Sequence, residues 1–111
     1  MAVLKFKEDN WEEIREGVFR KIVYLKQIMT VMIEFRNGPW PEAEPFHSHP
    51  HEQTCYIAKG EIILYCEDEP DQRLTEGDLF YIPSGNKHTI CVISPVARLV
   101  DCFSPIREDF L

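Results

Sequence analysis

The chain has no apolar run approaching the length of a membrane span, no Cys-x-x-Cys pair, almost no helical periodicity and no cationic grouping longer than Arg20-Lys21. Each absence removes a class of protein. Against 12 lysines and arginines stand 19 aspartates and glutamates, for a formal net charge of -7. Nucleic-acid binders display a basic patch, so nucleic acid is not expected as a partner. An acidic surface does not steer an anionic ligand inwards, and such a ligand needs cations supplied locally at its pocket. The first ten residues, Met-Ala-Val-Leu-Lys-Phe-Lys-Glu-Asp-Asn, carry no apolar stretch and no cleavage site of secretory type. With no span of membrane length either, a cytoplasmic location without a membrane partner is expected. Cys55, Cys66, Cys91 and Cys102 are scattered, as free and mostly buried thiols in a reducing compartment would be. Repeats, low-complexity segments and linkers are missing too. The 111 residues are therefore expected to form one domain, and 44% hydrophobic with 28% charged residues is a globular composition.

What the chain does contain is short runs of apolar and β-branched residues between turn signals. Residues 1–17 read as a leading arm, with Asn10 placed to cap a short helix or turn over Trp11-Glu-Glu-Ile-Arg and Gly17 to stop it. Val18 to Val23 and Gln27 to Phe35 read as strands, the second with Val31, Ile33 and Phe35 on one parity. Two prolines within Pro41 to Pro45 exclude a paired strand there. Strands are expected again over Cys55 to Ala58, Glu61 to Cys66, Leu79 to Ile82, His88 to Ile93 and Ala97 to Phe103. Residues 104–111 form a short amphipathic tail. Many short strands of this kind predict an all-β sandwich or barrel over residues 18–103.

All four histidines fall in two short stretches, His47-Ser-His49-Pro-His51 and the single His88 after Pro83-Ser-Gly85-Asn-Lys. On an extended strand His47 and His49 share a face, and Gln53 has the same parity if no bulge intervenes. The turn before His88 can swing it back to that face. Imidazoles converging on one point point to a metal. His51 shares parity with His49, but Pro50 favours a loop role for it.

In this pattern the chain resembles the cupin superfamily, whose fold is a double-stranded β-helix or jelly-roll barrel. The first motif of that family is matched by His47, His49, Gln53 and Gly60. The second is matched by Gly77, five residues, Pro83, Gly85 and His88. Gln53 stands where most members have glutamate, Pro41 where a glycine precedes the pair, and Val92 where an asparagine follows the last histidine. A narrower resemblance is to small single-domain cupins of pectin and alginate breakdown, which are proposed to convert 4,5-unsaturated uronates to linear keto sugar acids. It rests on Trp11, Gly17 and Arg20-Lys21, on His-Ser-His-Pro-His-Glu-Gln, and on the ending Val100-Asp-Cys-Phe-Ser-Pro-Ile-Arg-Glu-Asp-Phe-Leu.

That resemblance implies one divalent transition metal, nickel, zinc, iron or cobalt, held by His47, His49, Gln53 and His88. It implies catalytic and substrate roles for Asp101, Phe103 and Arg107, and a small-molecule sugar acid as ligand. Small cupins commonly pair through an N-terminal strand, so a homodimer is expected, with Val3 to Phe6 as the arm. Three imidazoles and an amide leave the ion its full charge, which favours Lewis-acid chemistry over redox chemistry. The expected activity is a metal-dependent isomerase. The alternatives are a non-catalytic, metal-containing sugar-acid binder and an iron-dependent dioxygenase.

Overall fold

Short amphipathic strands can bury their apolar faces only by stacking in sheets, and this chain builds two. The computed structural model describes residues 3–111. Of the arm expected over residues 1–17, Met1 and Ala2 lie outside the described residues. The strands are β1 (Glu12–Arg15), β2 (Val18–Tyr24), β3 (Met29–Phe35), β4 (Glu52–Lys59), β5 (Glu61–Cys66), β6 (Gln72–Thr75), β7 (Leu79–Ile82), β8 (His88–Val92) and β9 (Ala97–Ser104). One sheet runs β1-β2-β3-β9-β4-β7 and the other β6-β5-β8. Neighbouring strands in both sheets are antiparallel. A 3-10 turn at Glu108–Phe110 is the one helical segment among the described residues. No helix among them is long and apolar enough to cross a membrane.

Cross-strand register decides which side chains face inwards. Val31 stands opposite Asp101, Ile33 opposite Leu99 and Met29 opposite Phe103, so these alternate residues of β3 and β9 share the inner face. Val18, Phe35, Ile57, Ile62, Ile82, Val92 and Leu99 form the main core between the sheets. Met29, Val31 and Phe103 form a second cluster, closed by Ile22, Ile106 and Phe110. At the β4–β5 turn Gly60 holds φ +80°, and a Cβ there would stand 2.1 Å from the Val96 carbonyl oxygen.

The proline-containing connection between β3 and β4 stays outside the ladders, as the prolines predict, yet it is bonded along β8. The Trp40 amide donates to the Val92 carbonyl at 2.7 Å. The Thr89 hydroxyl donates to the Glu44 carbonyl at 2.8 Å. His47 and His88 exchange both backbone bonds, at 3.0 and 2.9 Å.

Two expectations near the N-terminus are corrected. Glu12–Arg15 form an edge strand on β2, not a helix or turn. Asn10 does not cap a helix; its side-chain oxygen accepts from Lys21 Nζ instead. Val3 to Phe6 belong to no strand. The segment lies over the outer face of the large sheet. There the Lys21 ammonium sits 4.3 Å from the Phe6 ring centroid and 4.7 Å from that of Trp11. Lys21 is buried and is satisfied by the Lys7 carbonyl as well as by Asn10. Cations resting over the Phe6 and Trp11 rings hold the arm to its own chain.

On the same outer face Glu34 is buried between Arg36, at 2.7 Å, and Arg98, at 2.8 Å. Burial opposes its ionisation, but the two guanidinium groups outweigh burial and pull its carboxyl below the ordinary 4.5. A carboxylate with a lowered folded-state pKa contributes stability above its unfolded value and loses it as pH falls through the folded one. Glu34→Gln is expected to cost about 2 kcal/mol at neutral pH, the scale of hydrogen bonds to charged groups. It is also expected to flatten the loss of thermal stability below about pH 4.5. Unchanged acid sensitivity in a melting series would count against this assignment.

Candidate functional site

His47, His49 and His88 come together at one end of the sandwich, their ligand-capable atoms all within 4.8 Å of one another. The route differs from the one expected. His47 and His49 do not lie on a continuous strand: β4 begins only at Glu52, and His47 makes an isolated bridge to His88. That bridge, rather than strand parity, brings the two motifs together. Ring centroids of His47 and His88 stand 4.4 Å apart and those of His49 and His88 5.0 Å. His51 is outside the cluster, its ring 5.6 Å from that of His49.

The hydrogen bonds fix which nitrogens are free. His49 Nδ1 lies 2.9 Å from the His51 carbonyl oxygen and His88 Nδ1 lies 2.9 Å from the Asn86 carbonyl oxygen. Each Nδ1 therefore carries the hydrogen and each Nε2 keeps a lone pair. Burial lowers the pKa of both rings, and the neighbouring histidines and Arg107 act in the same direction, so both are neutral near pH 7. A carbonyl partner on the far nitrogen is what metal-binding imidazoles usually have. Gln53 sharpens the point. Its Nε2 donates to Asp101 Oδ1 at 2.8 Å, which turns its Oε1 towards His49 Nε2 at 3.2 Å. With the amide so oriented, two electron-pair donors face each other with no hydrogen between them. A cation satisfies that arrangement. The three histidines and Gln53 thus fit a divalent metal chemically.

Asp101 projects from β9 into a cavity of about 260 Å³ whose lining includes His47, His88, Gln53, Phe103 and Arg107. Burial raises its pKa to about 6, against the lowering effect of Gln53, Cys55 and Arg107. Cys55 stands opposite it on β4, and burial, with the Asp101 charge beside it, pushes that thiol well up and keeps it protonated. Phe103 is both core and wall: it is buried, packs on Met29 and Val31, and meets the His49 ring at 5.8 Å. Arg107 follows β9 past Pro105 and lines the cavity. Its guanidinium lies 5.3 Å from the Phe103 ring centroid and 4.3 Å from that of Phe110, and it bonds Asp109 at 2.8 Å. That hydrogen bond holds the Asp109 carboxyl below its usual range.

The sequence did not single out Ile14, Arg15, Trp40, Glu44, Thr89 or Phe110, all of which also line the cavity. A stretch read as a helix concealed Ile14 and Arg15. Glu44 sits among prolines with no pattern to mark it. The amphipathic tail was the one available hint of Phe110.

A family model described as a cupin domain matches residues 39–100. The chain is 31% identical over 105 residues to "Pectin degradation protein KdgF" of Dickeya dadantii, covering 94% of this chain and 93% of the relative. The solved structure of KdgF from a Halomonas species superposes with a TM-score of 0.81 at 31% identity, over 94% of each chain. An RmlC-like cupin from Shewanella frigidimarina superposes with a TM-score of 0.83 at 31% identity, over 100% of this chain and 97% of the other.

Proposed function

The chain belongs to the cupin family, and we propose that it is a metal-dependent isomerase acting in pectin or alginate breakdown, converting 4,5-unsaturated uronate monosaccharides to linear keto sugar acids. The observation that carries this reading is the bond from Gln53 to Asp101, which links a carboxyl of raised pKa to the histidine cluster through the Gln53 amide. The similarity over nearly the whole chain to a KdgF named for pectin degradation supports a role in pectin breakdown.

His47, His49, His88 and Gln53 would hold the ion. When bound, a divalent metal supplies positive charge that stabilises developing oxyanions. Arg107 recognises the sugar carboxylate; its guanidinium fork suits bidentate pairing and supplies positive charge beside Phe103 at the cavity wall. Phe103 gives the sugar ring a dry wall. The chemistry is an isomerisation. The anomeric hydroxyl loses its proton to solvent, C1 becomes the aldehyde, and the bond from C1 to the ring oxygen breaks. The electron pair stays on that oxygen as an enolate. We assign to Asp101 the delivery of a proton to C4, which leaves the ketone at C5. A carboxyl with a pKa of about 6 is present in both protonation states near neutral pH, which suits proton delivery and recharging.

The test is a lyase-coupled assay that follows loss of the unsaturated uronate's ultraviolet absorbance with and without the protein. Acceleration that chelation removes and added metal restores is expected. No acceleration by the metal-loaded protein would refute the reading, and uptake of dioxygen would favour the dioxygenase alternative.

We also propose a homodimer. Val3, Leu4, Val23, Tyr24, Leu25 and Ile28 line one open apolar groove, and each is exposed beyond what a lone surface residue needs. Leu25→Asp is expected to halve the mass measured by light scattering. A single-chain mass for the unmodified protein would remove this proposal.

A further inference from the structure

We propose that the ion pair between Arg15 and Glu44 is a bar across the cavity mouth that limits the site to a single sugar-acid unit and keeps longer chains out. The inference rests on the sugar-acid reading of the site given above. Arg15 belongs to β1 and Glu44 to the connection before β4, 29 residues away. Arg15 Nη2 nevertheless donates to Glu44 Oε1, and both residues line the cavity that holds His47, His88 and Asp101.

Both ends of the bar are built in place. The register between β1 and β2 slips between Glu13 and Arg15. A bulge of this kind re-aims side chains, and Ile14 and Arg15, adjacent in sequence, both face the cavity. The turn behind them is pinned. Gly17 holds φ +78°, a Cβ on it would stand 2.7 Å from that of Asn37, and its carbonyl accepts from the Arg36 amide at 2.7 Å. Asn37 in turn accepts from Trp40 Nε1 at 2.8 Å. On the other side the Glu44 carbonyl is held by buried Thr89, the residue after His88. Two rim elements are thus anchored separately, and the ion pair joins them.

The space behind the bar is small. About 260 Å³ lies below the roughly 300–1,000 Å³ of pockets for drug-sized molecules. One uronate ring fits such a space, and a second must leave through the mouth. The side chains of Arg15 and Glu44 are 51% and 44% exposed, so water screens the pair and it parts readily. A ligand that passes wholly inside lets it re-form; a longer one holds it open. The selection has a chemical purpose. In an unsaturated oligouronate C1 of the unsaturated ring is tied in a glycosidic bond, so that ring cannot open, and the oligomer would occupy the site without reacting.

The test is calorimetric binding of galacturonate and digalacturonate to the metal-loaded protein. The unmodified protein is expected to bind the monomer about two- to fivefold more tightly, the range that parting an exposed ion pair can cost, a result that needs no variant. In Arg15→Ala and in Glu44→Ala the dimer-to-monomer affinity ratio is expected to rise about two- to fivefold. The exchange Arg15→Glu with Glu44→Arg is expected to restore the original ratio. Equal affinities in the unmodified protein, an unchanged ratio in both single variants, or failure of the exchange to restore it overturns the bar. Size-selective binding without any turnover of unsaturated uronate would sink the isomerase and leave the bar standing. Turnover with an unchanged ratio would do the reverse, and a metal-loaded protein that binds neither sugar would overturn the bar, leaving the isomerase to the turnover assay.

Discussion

Asp101→Asn is expected to lower turnover of the unsaturated uronate by about 10²- to 10⁴-fold, the usual contribution of a positioned general acid. The substitution is nearly isosteric. The asparagine carbonyl can still accept from Gln53 Nε2, which now bonds Asp101 at 2.8 Å, so the orientation of Gln53 towards His49 is preserved. Metal content and affinity for galacturonate should therefore change little, and the loss should appear in kcat rather than KM. A sugar-acid binder would show no turnover in either form, and the substitution would leave its affinity largely intact. Full turnover by the variant would remove Asp101 from the chemistry. Loss of metal together with activity would make it a positioning residue for Gln53.

His88→Ala is expected to abolish stoichiometric metal binding, and turnover with it. His88 is buried, its Nδ1 is engaged by the Asn86 carbonyl, and it joins His47 through paired backbone bonds. Removing its ring takes away one of three imidazoles whose ligand atoms lie within 4.8 Å. The signature to look for is thermal. A ligand that binds only the folded state at about a hundredfold excess over its Kd stabilises by about 2.7 kcal/mol. Added metal should raise the Tm of the unmodified protein and leave that of the variant unmoved. A variant that binds one equivalent of metal with unchanged affinity would mean that the ion sits elsewhere.

How much of this was legible in the sequence depends on which contacts are local. The histidine motifs were readable because their spacing is a property of the chain. The reason they converge was not: parity along one strand was expected, whereas a bridge between His47 and His88 does the work. The shared inward face of Leu99, Asp101 and Phe103 follows from alternation and is found. The partner of Asp101 could not be read, since Gln53 stands opposite Phe103 in the ladder and reaches Asp101 diagonally. Arg15 was lost because Trp11 to Arg15 carries acidic residues behind a capping asparagine, a local helix signal. The long-range pairing with β2 overrides it. Glu44 is placed by a hydroxyl on another strand, and nothing in its own surroundings in sequence announces that.

The two tryptophans lie on opposite faces of the large sheet, and this makes the molecule its own optical instrument. Trp11 meets Phe6 edge-on under the arm with the Lys21 ammonium over its ring, while Trp40 meets Phe35 edge-on beside the cavity. Trp11→Phe leaves an emission signal that responds to occupancy of the cavity, and Trp40→Phe leaves one that responds to release of the arm. Ligand arrival and arm displacement can therefore be timed in separate stopped-flow traces, with no dye attached.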